Sequence, residues 1–232
     1  EGVCQGCGRT VDEISLWTSF SDEEKNLWHT NHPKFVAGIG SRDTPPSECT
    51  RIEHFSAGLQ RMRYTLRSGA AYRGADKAFE KGAIYKEIIV PEKAKQDQIS
   101  FLSLPLPIQK DAMDLAQKYH PRWDAVKDLY SQRLLARNVV QILGKDIKTP
   151  VDFVMFWADR VTLNSSGIIT NCSGGAGLGV RLASSLGIPC VHTSMPQFQD
   201  IYDSIGNADL PGLQKSLENI RQISRPRKTC AP

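Results

Sequence analysis

Three glycine-bearing segments combine residue types that could hold a phosphate or another oxyanion. The first is Gly38-Ile39-Gly40-Ser41-Arg42-Asp43-Thr44-Pro45-Pro46, set between a short apolar run and an amphipathic stretch. A glycine-flanked turn at such a junction lets backbone N–H groups and a helix N-terminus come close to an anion, because no Cβ blocks the approach and the helix dipole favours negative charge. Ser41 and Thr44 add hydroxyl donors, and Arg42 can grip a phosphate or carboxylate through paired hydrogen bonds. A tight turn with a surface arginine is the alternative reading, since a short glycine turn is a weak motif. The second segment, Leu66-Arg67-Ser68-Gly69-Ala70-Ala71-Tyr72-Arg73-Gly74-Ala75-Asp76, repeats the arrangement with Ser68, Gly69, Arg73 and Gly74. The third, Ser173-Gly174-Gly175-Ala176-Gly177-Leu178-Gly179, precedes Val180-Arg181-Leu182-Ala183 and is dense in glycine beyond the need of one turn. A flexible surface loop is its structural alternative.

Acid–base chemistry beside such a cradle would need a carboxyl group. Asp76 and Glu80 are the candidates, placed to share one helix face, and Asp159 is a further source. Their bland counterpart is a helix N-terminal acid beside an exposed ion-pair partner. Arg137 and Asn138, with Arg133 one turn earlier, sit among Leu134, Leu135, Val139 and Val140, which suits a partly buried basic pair facing a cleft, with a solvated Arg133 as the commoner alternative. Trp123 and Trp157 could stack on a base, which contributes about 1–3 kcal/mol where it occurs; Trp157, ending an apolar run, reads first as core. Cys4 and Cys7 form a Cys-x-x-Cys pair that His29 and His32 could complete to a four-ligand zinc site, although the spacing is not that of a standard finger. A metal-free knuckle is the alternative. His54, His120 and His192 are isolated and read as non-catalytic.

The elements that must carry these residues follow from periodicity. Residues 1–33 differ in texture from the rest and read as a separate small unit, with Ile14, Trp17, Leu27 and Trp28 as anchors and Ser21 to Glu24 as a capping box. From Phe35 onward, short β-rich runs alternate with helical stretches, the pattern of βα units around a mainly parallel sheet. Strands are expected at 35–39, 64–68, 87–90, 151–157 and 189–192. Ile52, Phe55, Leu59, Met62 and Leu66 give one apolar helix face after the first strand. Further helices are expected at 74–83, within 111–144 with a break at His120-Pro121, from Gly177, and from Leu210 to a basic tail that contains Arg225, Arg227 and Lys228. All three glycine segments would then lie at carboxyl ends of strands, where ligands of open α/β sheets bind.

Composition sets the limits. The chain has 232 residues, 40% of them apolar and 23% charged, which is ordinary globular composition. A net charge of +4 permits an anionic partner but falls short of a strongly basic nucleic-acid binder. The six cysteines are scattered, which points to reduced thiols rather than a disulfide framework. No apolar run approaches membrane-spanning length, so no membrane partner is expected and a cytoplasmic location is. The chain opens on Glu1, which leaves room for upstream residues.

Taken together, the Phe35-to-Pro45 segment, Leu66-Arg67-Ser68-Gly69, Gly74-Ala75-Asp76-Lys77-Ala78-Phe79-Glu80, Ala136-Arg137-Asn138 through Gln141-Ile142-Leu143-Gly144 and the Gly174 loop resemble the Rossmann-like SLOG superfamily. The likeness spans about residues 34–206 and is nearest to the phage-type DNA-processing or recombination-mediator protein A group. It implies a Rossmann-like three-layer α/β sandwich that binds a nucleotide, a nucleotide-derived signal or DNA, with dimers common. Two departures stand out. The second loop is one residue longer than the family's usual Ser-Gly-Gly-Ala-x-Gly-Ala-Asp and carries Tyr72 and Arg73. The third has Leu178, Val180 and Arg181 where the phosphoribohydrolase branch places its Pro-Gly-Gly-x-Gly-Thr-x-Glu-Glu residues, so that branch's carboxylate is missing. The Cys4-to-Trp17 stretch, with its Cys-x-x-Cys-Gly-Arg-Thr pattern, resembles a small bacterial cysteine-rich domain of unknown function that commonly has further cysteines upstream.

The resulting expectation is a small Cys-containing unit at 1–33, a Rossmann-like binding domain at 34–206 and a C-terminal helix with a basic tail at 207–232. Its ligand site would comprise Gly40, Ser41, Arg42, Thr44, Ser68, Gly69, Arg73, Gly74, Asp76, Arg137, Asn138, Gly174, Gly175, Ala176, Gly177 and Arg181. The rivals are a nucleotide N-glycosidase using Asp76 or Glu80, and a phage protein that sequesters a cyclic nucleotide or ADP-ribose signal.

Overall fold

Parallel strands buried on both faces are written as near-continuous apolar runs, and Lys34–Gly40, Tyr64–Ser68 and Phe153–Trp157 have that character. A computed structural model describes residues 34–224 of the chain, which divides between Pro33 and Lys34 into two units. The second unit is built on a six-stranded sheet in the order β4-β3-β2-β1-β5-β8, every neighbouring pair parallel. Its strands are β1 (Lys34–Gly40), β2 (Tyr64–Ser68), β3 (Lys86–Val90), β4 (Gln98–Ser100), β5 (Phe153–Trp157) and β8 (Cys190–His192). A separate antiparallel hairpin, β6 (Val161–Leu163) with β7 (Ile169–Cys172), leaves the sheet after β5.

Helices α1 (Pro46–Arg61), α2 (Ala75–Gly82), α3 (Leu106–Tyr119), α4 (Leu129–Leu143), α5 (Gly177–Ser185), α6 (Gln199–Gly206) and α7 (Leu210–Ser224) fill the connections. They pack as two layers, α1 with α2 and α6 with α7 in one, α3 with α4 and α5 in the other. Alternation along the strands shows that the layers lie on opposite faces. Leu66 of β2 meets Gly38 beside Phe79 of α2, while its neighbour Arg67 reaches Gly144 at the end of α4. Gly38 likewise faces Phe79, and Ile39 faces Gly179 of α5. The expected α/β sandwich is therefore present.

The chain runs from β1 outward to β4 and then returns to the other side of β1 with β5 and β8. The reversal falls between β1 and β5, whose carboxyl ends at Gly40 and Trp157 are where open sheets of this kind place ligands. Ser41 N–H donates to Trp157 O at 3.1 Å and ties the two ends together.

Several boundaries differ from the sequence expectation. The stripe from Ile52 does not run as one helix to Leu66: α1 ends at Arg61, Arg63 takes φ 66°, and Leu66 belongs to β2. α3 starts at Leu106 rather than near residue 111, because Pro107 sits in the first turn, where its missing N–H costs nothing. The Gly174 loop follows β7 of the hairpin, not a strand of the parallel sheet. α7 buries Leu213 and Leu217, and Arg221 donates to Asp152 O at 2.8 Å. Among the described residues no helix is long and apolar enough to cross a membrane.

Candidate functional site

α4 supplies the residues that straddle two of the glycine segments. Asp128 caps its start by accepting from Ser131 N–H at 2.8 Å, and Gly144 ends it with φ 83°. The middle of α4 lies beside the loops that follow β2 and β7. There Asn138 donates to Gly175 O at 3.0 Å, tying the helix to the third segment. Its neighbour Arg137 faces the second: a Cβ on Gly69 would overlap the Arg137 guanidinium and lie 2.5 Å from Asp76 Oδ2. Glycine at position 69 is what lets the guanidinium approach the loop.

Arg137 is nearly enclosed, with 11% of its side chain exposed, and forms no hydrogen bond to any described residue. The nearest opposite charge is Asp76, at 3.9 Å, beyond hydrogen-bond reach. Asp76 accepts from Gly40 N–H at 3.0 Å, so it braces the first loop against α2. Burial pushes the Asp76 carboxyl above the ordinary aspartate range, with Arg137 and the Gly40 hydrogen bond pulling it back. Burial likewise lowers the Arg137 guanidinium, and Asp76 opposes that. Each group is thus disfavoured in its charged form and incompletely compensated by the other.

The remaining expected binders fall into distinct groups. Gly174 and Gly175 are exposed, and the N–H groups of Gly175 and Ala176, at the start of α5, donate to no described residue. Gly177 lies where a Cβ would meet Cys172 O at 2.5 Å. Arg42 is exposed at the first turn, and Arg73 is engaged with Asp43 at 2.7 Å, joining the first and second loops at the surface. Gly74, at φ 77°, packs its Cα against Ser41 O and Arg42 backbone. Other candidates point inward: Thr44 donates to Ser41 O at 2.7 Å, Ser68 to Gly38 O at 2.6 Å, and Ser41 Oγ accepts from Asp43 N–H. Arg181 is held by Tyr119 O at 2.8 Å and Asn171 Oδ1 at 2.6 Å, a brace between α3, β7 and α5. Pro45 and Pro46 lack N–H groups, so the first turn of α1 offers an anion few donors.

Of the carboxylates, only Asp76 sits with Arg137; Glu80 pairs with Lys77 at 3.1 Å, and Asp159 is exposed. Trp157 packs against His192, and Trp123 against His120. His192 is buried between Ala158 O at 3.0 Å and Ser194 N–H at 3.2 Å, and burial lowers its pKa, so it stays neutral and holds the ends of β5 and β8. Two residues of α4 escaped the sequence reading of the site: Tyr130, exposed two turns before Arg137, and Gln141, whose buried amide is unpartnered. Their spacing from Arg137, at i−7 and i+4, was the available signal. A hollow of 290 Å³ between the hairpin tip, Cys190 and α7 includes none of these residues.

Cys4, Cys7, His29 and His32, and the basic Arg225, Arg227 and Lys228, lie outside the described residues, as do the anchors of the N-terminal unit. Among the described residues no group of three or more His, Cys, Asp or Glu side chains is placed to hold a metal ion. A family model described as a protein of unknown function (DUF1289) matches residues 1–33. Comparisons with curated proteins and with solved structures give no match.

Proposed function

We propose that the unit from Lys34 onward binds a phosphate-bearing ligand, a nucleotide or nucleotide-derived molecule, with its anionic group between Arg137 and the Gly175–Ala176 end of α5. One observation carries this reading: a nearly enclosed guanidinium beside the Gly69 loop with no hydrogen bond to any described residue. Leaving a buried charged donor unpaired is costly, about 1–3 kcal/mol or more, and an oxyanion supplies the paired acceptors that the fork-shaped group fits. The helix dipole and the free N–H groups at the start of α5 add to the attraction. The likeness to the SLOG superfamily agrees with this chemistry, and its DNA-processing branch makes a nucleic-acid end one form the phosphate could take.

A second reading, N-glycosidic hydrolysis, is favoured by one feature alone, the raised pKa of Asp76 beside Arg137. A carboxyl pKa moved upward is the direction a general acid needs. Its existing bond to Gly40 N–H gives Asp76 a bracing role as well.

The test is native mass spectrometry of the full chain with AMP, ADP, ADP-ribose, cyclic di-AMP and a short single-stranded oligonucleotide, alongside R137M. Retention of an intact phosphate-bearing compound by the natural chain, lost in R137M, is the expected result. No retention, or equal retention by both, sinks the proposal. Release of free base with sugar phosphate would instead establish the hydrolase, and oligonucleotide binding should weaken with salt at a log–log slope of about −0.7 per phosphate contacted.

A further inference from the structure

We propose that Gln141 is a positioning residue for Arg137: its side-chain oxygen accepts the Arg137 Nε–H when an anion occupies the site, fixing the guanidinium plane so that both Nη groups face the glycine loops. The inference rests on the anion-site reading above and names the residue that orients its central group. Gln141 is 1% exposed, and both its amide oxygen and its amide nitrogen lack a hydrogen-bond partner. Arg137 Nε is buried and lacks one too. The two residues are one turn apart on α4, so their side chains rise from the same face. An unpaired donor and an unpaired acceptor therefore lie on adjacent turns, complementary in chemistry.

The neighbours of Gln141 make its polarity conspicuous. Val139, Val140 and Ile142 are all fully buried and apolar, and an apolar residue at 141 would avoid the burden of two unpaired polar atoms. A buried amide held at such a position has a use that packing does not supply. In this structure the guanidinium faces Asp76 at 3.9 Å without bonding to it. An anion at the loops competes with Asp76 for the Nη groups, and turning the plane toward the anion leaves Nε–H to be satisfied from the helix side, where Gln141 stands. Asp76 faces the guanidinium from α2 and Gln141 would hold its Nε edge from the same helix, so the group is steered from two sides.

The experiment is calorimetric titration of inorganic pyrophosphate into the full chain and into Q141M, R137K and the double variant, with R137M as the loss-of-site control. Methionine matches glutamine in length without its hydrogen bonds, and lysine keeps the charge at 137 without an Nε–H. In the natural background Q141M is expected to weaken pyrophosphate binding about tenfold, the weight of one hydrogen bond to a charged group, while raising Tm by about 2–4 °C. In the R137K background the same substitution should change binding by less than about twofold, because nothing is left for Gln141 to hold. A merely structural glutamine would give equal losses in both backgrounds, and that result overturns the proposal. So does unchanged pyrophosphate affinity in Q141M while R137M abolishes binding, an outcome that leaves the anion site standing. If the natural chain takes no pyrophosphate, the anion site falls and this proposal with it.

Discussion

Gly69→Ala should separate binding from stability. The added Cβ would overlap Arg137 Nη1, lie 2.8 Å from Arg137 Cζ and lie 2.5 Å from Asp76 Oδ2. These are the far ends of side chains, not backbone, and Gly69 has no left-handed φ that alanine would strain. The clash is therefore relieved by moving the guanidinium and turning Asp76 Oδ2 aside about the Oδ1 bond to Gly40 N–H, and the loss of side-chain contact is offset by the lower entropy of an unfolded alanine, about 0.4–1 kcal/mol. Net stability should stay within about 1 kcal/mol of the natural chain. Binding should not: two charge-assisted hydrogen bonds to Arg137 at about 1.5 kcal/mol each amount to about 3 kcal/mol, or about 150-fold in affinity. Pyrophosphate calorimetry and a urea melt on the same sample measure both quantities. G69A that binds as the natural chain does would refute the placement of the anion against Arg137, and a fold loss of several kcal/mol would refute the claim that only side chains give way.

Gly40→Ala is the counterpart, since its Cβ would stand 2.6 Å from Trp157 O and 2.6 Å from Ala75 Cβ; β1 and β5 must part, and the urea midpoint should fall by an amount worth about 1–3 kcal/mol. Arg181→Met leaves Tyr119 O and Asn171 without their donor, so stability should drop by about 1–3 kcal/mol with pyrophosphate affinity unchanged, and a loss of affinity alone would place Arg181 in the site after all. Arg67→Met removes the buried cation between Glu87 and Thr149 O but leaves Lys145 on Glu87 at 2.8 Å, so it should cost about 1–3 kcal/mol in chemical denaturation. The raised pKa of Asp76 carries a sign: the folded chain keeps that proton where the unfolded chain has released it, so the group's contribution to stability is greatest below the ordinary aspartate pKa of about 3.9 and is lost as pH rises through the folded value. Unfolding free energies measured from pH 4 upward should therefore decline more in the natural chain than in D76N, and parallel curves for the two would show that Asp76 titrates normally.

The parts of the fold legible in the sequence are those buried on both faces. The apolar runs that became β1, β2, β3, β5 and β8 were bounded within two residues, because a strand covered by helices on each side needs apolar side chains at consecutive positions. β4 reads Gln-Ile-Ser, three half-buried residues at the sheet edge, and gives no such signal. The hairpin strands β6 and β7 are short and partly exposed, so the sequence shows no strand ahead of the Gly174 loop and nothing that sets it apart from the parallel sheet. α6 is only eight residues long, too brief for its period to stand out. The glycine segments announced themselves through composition. Which hydroxyls and arginines beside them would be spent on the fold did not, since Thr44, Ser68 and Arg181 find partners in residues remote in sequence or in loop carbonyls that only the folded chain brings near.

Two arginines with similar surroundings show where function separates from structure in this chain. Arg67 is 2% exposed and fully engaged: Glu87 at 2.8 Å, Thr149 O at 2.6 Å, and the Phe35 ring 3.6 Å from its Cζ. Burial pushes Glu87 up, but hydrogen bonds from Lys145 and Arg67 outweigh it and hold the carboxyl below its ordinary range. Every group of that cluster is charged and answered. Arg137, on the facing helix, has one distant carboxylate and a silent glutamine. Both are long cationic side chains taken out of water, and the cost of doing so is the same in kind. Where the fold itself repays that cost, at Arg67, the residue explains itself as structure. At Arg137 no described residue accepts from the guanidinium, while Gly69 leaves room beside it and the Gly175 and Ala176 N–H groups donate to no described residue, and that contrast is what supports an outside acceptor in the proposed reading.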